Sequence, residues 1–343
     1  MKRKTVFKRI LIILPIVIIM MIVCSLCINH FTAAKIPHRF AAAEEGRRLM
    51  LAHTDYYGHY TQPDIEFRMQ KSGATINELL EVSEQSVQTF NLIEKSFLES
   101  RIAKMYRTLK KNGYVLPQTD EITFIKADMK LESGASGYTH GTEIYLNGTA
   151  ISLFAWMRFI PGFCRFADEL LWHELFHCLT RSNPDFRAQM YSLIHFTVAD
   201  EDFVLPPSVQ EKLLSNPDVG HHDSYAAFTI NGQKTDCFVA LIAEKPYSEA
   251  QTTLESGAST VLIPIDGTDI YYDQTQAEDF YEVFGQNTAY VIDPEECMAD
   301  NFAYAMLYGI NGQDGKGYMN PEIIEGILDY VSGKKENEYE RTE

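Results

Sequence analysis

Trp172-His173-Glu174-Leu175-Phe176-His177 lies inside an apolar, helix-like run over residues 165–181. Helical spacing projects His173 and His177 from one face, one turn apart. Two neutral imidazoles at that spacing can hold one tetrahedral zinc ion, and H-E-x-x-H is the pattern in which they do so. Glu174 then stands beside the metal without ligating it, where a general base for zinc-activated water belongs. The competing explanation is two ordinary histidines on a half-buried helix. A third ligand decides between the two.

Downstream stands Asp293-Pro294-Glu295-Glu296-Cys297-Met298-Ala299-Asp300-Asn301-Phe302. Proline near the first helical position and acids in the first turn read as a helix start. Glu296 and Asp300 are four apart and share a face. One carboxylate can complete a zinc site while the other takes the N–H of a ligating His and fixes its tautomer. The bland reading of Glu295 and Glu296 is a solvated helix N-terminus. With both elements quoted, the chain resembles the gluzincin metallopeptidases, the thermolysin-like group that carries H-E-x-x-H and then E-x-x-x-D on a later helix. The resemblance covers two short helices. It implies zinc ligands His173, His177 and Glu296, general base Glu174, and Asp300 as the outer partner of a ligating His. It also implies an antiparallel edge strand beside the zinc helix to pair with the substrate backbone. Glu143-Ile144-Tyr145-Leu146 is the candidate for it, with an ordinary sheet strand as the equal alternative. Thermolysin-like enzymes steady the oxyanion with a Tyr and a His; Tyr290, Tyr304 and His222 are the candidates here, none of them on a matching motif.

The expected fold is α+β and zincin-like, a mixed or antiparallel sheet with its active-site helix plus a largely helical lobe. The chain has 343 residues, enough for a sizeable core after a leader of about 30. The net charge is −17, and residues 1–34 carry five basic and no acidic groups, so the remainder holds 25 basic against 47 acidic residues, or −22. Such a surface argues against nucleic acid as a partner. Cys164, Cys178, Cys237 and Cys297 show no C-x-x-C spacing, which leaves buried free thiols as the preferred reading.

Residues 1–9 form a basic flank, and residues 10–28 are free of charge and just long enough to cross a bilayer as a helix. The flank sets the N-terminus inside and the remainder outside. A retained anchor on the cell membrane is expected; a cleaved signal peptide, with a secreted product, is the alternative. Residues 29–71 show no clear period and read as a stalk or lead-in. The metallopeptidase domain is expected over 72–333, with a β-rich insertion at about 197–272, and a charged, disordered tail over 334–343. Within the domain, Thr75-Ile76-Asn77-Glu78 is a capping box that opens a helix or broken pair of helices ending near Asn112-Gly113. Ile122 to Ala127 reads as a strand, Asn231-Gly232 as a type I′ hairpin turn, and Pro321 to Val331 as a last amphipathic helix.

The function this implies is peptide-bond hydrolysis on the outer face of a membrane, with zinc as cofactor and a peptide or protein as substrate. A zinc-stabilised surface protein without catalysis, or a cell-wall peptide amidase, are the alternatives.

Overall fold

The computed structural model describes residues 36–160 and 162–334, with Val17 and Met20. The basic flank, the apolar run and the terminal tail lie outside the described residues, those two and Lys334 apart. Among the described residues no helix is long and apolar enough to cross a membrane. The chain is α+β, with one mixed and one antiparallel sheet. Its strands are β1 His38–Phe40, β2 Ile122–Ala127, β3 Gly137–His140, β4 Glu143–Asn147, β5 Thr197–Val198, β6 Leu213–Leu214, β7 Ser224–Ile230, β8 Gln233–Ala243, β9 Ala258–Pro264 and β10 Tyr272–Asp273. Helices of eight residues or more are α1 Ala43–Ala52, α2 Gln62–Met69, α3 Ile76–Ser86, α4 Leu92–Asn112, α5 Gly148–Met157, α6 Arg165–Ser182, α7 Pro184–Ser192, α8 Pro294–Tyr308 and α9 Pro321–Val331.

Helix α6 carries the H-E-x-x-H stretch and is buried almost all round from Leu171 to Thr180, as befits a helix at the centre of a fold rather than on its surface. Its Trp172 and Phe176 meet Phe302 of α8, at ring-centroid distances of 6.0 and 5.4 Å. Burying each such ring contributes about 1.5–3 kcal/mol. This shared apolar seam holds the two motif-bearing helices side by side. Helix α8 starts where the sequence places it: the Asp293 carboxylate accepts from Glu295 N at 2.8 Å, Pro294 opens the first turn, and Gly309 at φ 58° ends it.

The mixed sheet runs β1-β2-β4-β3, with β1 and β2 parallel, β2 and β4 parallel, and β3 antiparallel to β4. The edge strand that meets α6 is therefore β3. The expectation for residues 143–146 is corrected: β4 is interior, paired on both sides. Alternation along a strand reports which faces are buried but not which edges are free, so two adjacent strands could not be told apart in this respect. Gly137 lets β3 come close, since a Cβ there would lie 2.8 Å from Glu174 Oε1 and 3.1 Å from the Tyr145 carbonyl.

A second correction concerns the expected stalk. Strand β1 pairs with β2 through His38↔Ile122, and Met50, Ile65, Phe67 and Arg68 are buried, so residues 38–69 are built into the domain. These elements are short and bury a guanidinium alongside their apolar groups, which hides any helical period. Arg68 sits between Asp64 and Glu132 at 2.7 and 3.1 Å. Helices α3 and α4 form the broken pair, the first opened by the Thr75 capping box and the second closed by Gly113 at φ 68°.

The second sheet is antiparallel in the order β10-β9-β8-β7-β5, with β6 added to β8. Asn231 and Gly232 turn its main hairpin with φ of 52° and 74°, the left-handed pair that a type I′ turn requires. The segment leaving β6, residues 215–223, runs from this sheet across to α6. The four cysteines from Cys164 onward are free thiols.

Candidate metal centre

His173 and His177 project from the same face of α6, their rings 4.9 Å apart. Each ring is held at Nδ1 by a carboxylate from α8: His173 by Asp300 Oδ1 at 2.9 Å, His177 by Glu295 Oε1 at 2.8 Å. Carboxylates accept, so the bonding pattern assigns the proton to Nδ1 in both rings and turns both Nε2 atoms to one point. Glu296 Oε2 lies at that point, 3.0 Å from His173 Nε2 and 3.7 Å from His177 Nε2. Ligands of a tetrahedral zinc, each about 2.0–2.1 Å from the ion, stand about 3.3 Å from one another. The observed spacings bracket that figure.

One atom argues for a cation most directly. His177 Nε2 is buried without a hydrogen-bond partner, and leaving such a group unmet costs about 1–3 kcal/mol. Its surroundings are acidic: Glu174, Asp218, Glu295 and Glu296 are all buried. Carboxylates brought together out of water need protons or a metal to offset them. Burial, and then the neighbouring Glu174 and Glu296, push the Asp218 carboxyl well above its ordinary value. Burial alone would lower the pKa of His173, but Asp300 and Glu296 outweigh it and hold that ring well above the ordinary imidazole range. The pull of Asp300 and Glu296 on one ring shows how much negative charge converges on His173. Two imidazoles and one carboxylate are a donor set suited to zinc, and the residues fit the group.

Glu174 faces the same space but is tied elsewhere. Its Oε2 accepts from Thr139 Oγ1 of β3 at 2.7 Å. Burial raises its pKa, while both imidazoles and the Thr139 hydroxyl pull it back down.

Glu295 is the residue that sequence reasoning missed. It is 5% exposed, and besides His177 it accepts from Thr180 Oγ1 at 2.6 Å and Tyr191 Oη at 2.5 Å. Acids in the first turn of a helix are so commonly solvated that the sequence carries no separate signal for this role. Glu295→Gln is expected to weaken zinc binding by about 10–100-fold, read by competition with a chromophoric chelator. An unaltered affinity would show that Glu295 is a packing residue only.

Of the oxyanion candidates, Tyr290 is brought to the site: its hydroxyl donates to Glu296 Oε1 at 3.1 Å and its ring tilts against His173 at 6.2 Å. Its neighbour on the same oxygen is Asn216, whose Nδ2 donates at 2.5 Å. Tyr304 is not brought there; its ring packs between those of Tyr308 and Tyr318. His222 lies against Phe238 in the second sheet, with its backbone N–H donated to Asp202. Neither has a contact with His173, His177 or Glu296 among the described interactions.

No protein-family model, curated protein or solved structure matches this chain. The donor set itself must carry the chemistry. Beside it opens a cavity of about 1240 Å³, lined by Arg181, Asn216, Asp218 and Glu295 on one side and by His53, Tyr56 and His140 on the other.

Proposed function

We propose that this chain is a zinc-dependent metallopeptidase of gluzincin type, zincin-like in fold, held at a membrane by its N-terminal run with the catalytic domain outside. His173 Nε2, His177 Nε2 and a Glu296 oxygen would hold the metal. The observation that carries the reading is the convergence of these three atoms, with His177 Nε2 buried and unpartnered. Zinc, when bound, supplies a Lewis acid that polarises a carbonyl and makes water acidic enough to lose a proton near neutral pH.

The chain's own groups do the rest. Glu174 accepts the proton of the attacking water at a carboxylate oxygen and returns it to the leaving amine. Burial raises its pKa above that of an exposed glutamate, which makes it the stronger base. Tyr290, part exposed beside Glu296, is the group in reach to donate to a developing oxyanion. Strand β3 offers a backbone edge next to Glu174 for an extended peptide. The anchor is supported by the uncharged run behind five basic residues.

The test is cleavage of a mixed peptide library by the purified ectodomain, before and after chelation and after zinc is returned. Activity lost with the metal and regained with it is expected. Cleavage indifferent to chelation would overturn the zinc mechanism.

One observation favours a zinc-stabilised surface protein without catalysis: Thr139 N, which a substrate backbone would engage, already donates to Asp218 Oδ1 at 2.6 Å. On that reading zinc raises the melting temperature and no peptide is cut.

A further inference from the structure

Asp218 belongs to neither motif, yet it reaches the centre of the site. Its Oδ1 lies 3.8 Å from His177 Nε2, nearly the distance at which Glu296 Oε2 stands on the same atom. Ligand atoms of Glu174, His177 and Asp218 all lie within 4.8 Å of one another, a group that shares His177 with the His173, His177 and Glu296 set. The carboxylate is 6% exposed, so water does not solvate it. Its backbone is pinned as well: Arg181 donates to the Asp218 carbonyl at 2.8 Å, and Asp218 N donates to Asn216 Oδ1 at 3.0 Å. Upstream, Ser215 N donates to Asp64 and Arg68 donates to the Ser215 carbonyl. The side of this segment away from the metal faces the cavity of about 1240 Å³, which residues 215–223 line throughout. Withdrawal therefore leads into open space rather than through packed core.

We infer that residues 215–218 form a plug that keeps the site closed, with the Asp218 carboxylate set against His177 Nε2 and the β3 edge. Two needs of a peptidase are blocked at once by one side chain. The Asp218 carboxylate stands 3.8 Å from His177 Nε2, in space that a substrate carbonyl would need beside a bound metal. The edge N–H of Thr139, which an extended substrate would take, is filled by the same oxygen. This rests on the peptidase reading, since a plug has meaning only for a site that opens.

Cobalt replaces zinc as a visible probe, and acetohydroxamate serves as an exogenous ligand that needs a free coordination position. Titrated into the cobalt-loaded wild-type protein, acetohydroxamate is expected to leave the absorption spectrum unchanged. In Asp218→Ala and Asp218→Asn it is expected to shift the spectrum and bind at least about tenfold more tightly, the gain obtained when a closed state is removed. Asp218→Asn keeps the volume and the acceptor for Thr139 N, which guards against a variant that fails only by misfolding. A wild-type protein whose spectrum acetohydroxamate shifts would overturn the inference without recourse to any variant. Variants as inert as the wild type would overturn it equally. Variants that bind acetohydroxamate but cut no peptide would sink the peptidase reading and leave the plug standing.

Discussion

Glu174→Gln is expected to keep zinc and to lose peptide hydrolysis by about 10²–10⁴-fold in kcat, the usual worth of a positioned general base. The substitution is nearly isosteric. A glutamine oxygen still accepts from Thr139 Oγ1, the bond that orients Glu174 at 2.7 Å, and Gly137 still leaves room for the side chain. What is lost is the capacity to take a proton. KM should change little, because the amide holds the same space and Glu174 is not one of the three metal ligands. Zinc content is measured alongside: an inactive variant that has also lost its metal would not report on the base. A zinc-replete variant that turns over within a few-fold of wild type would show that the proton goes elsewhere.

Glu296→Ala is expected to remove most of the zinc affinity, by more than the 10–100-fold or so that an outer partner is worth. The carboxylate faces both Nε2 atoms, at 3.0 and 3.7 Å. Its other oxygen gathers Tyr290 and Asn216, so the truncation also leaves those donors unmet. Zinc bound to the native state stabilises it by about 2.7 kcal/mol when present at a hundred times its Kd. That increment appears as a rise in the melting temperature of the wild-type protein and is expected to vanish in the variant. An equal rise in both proteins would place the metal somewhere other than between α6 and α8.

Much of this arrangement was legible because the chemistry and the local rules coincide. The four-residue spacing of His173 and His177, and of Glu296 and Asp300, sets each pair on one helical face. The Asp293-Pro294 start and the Gly309 stop bound α8 by capping alone. Asn231-Gly232 needed nothing beyond its own left-handed preference to turn a hairpin. What stayed hidden depends on contacts distant along the chain. Glu295 becomes a partner of His177 because Thr180 and Tyr191 close around it, and neither is near it in the sequence. Strand β3 is the edge because of the order in which strands add to the sheet. Residues 38–69 join the domain through one parallel strand pairing and the buried Arg68 cluster, which leave no period to read. Asp218 is carried in on an irregular segment, where spacing says nothing about direction.

The central claim is that His173, His177 and Glu296 hold one zinc ion. Anomalous diffraction at the zinc edge, from crystals of the ectodomain grown with equimolar zinc, tests it most directly. A peak is expected about 2.0–2.1 Å from His173 Nε2, His177 Nε2 and a Glu296 oxygen. A zinc-replete crystal with no peak between those atoms would contradict the account.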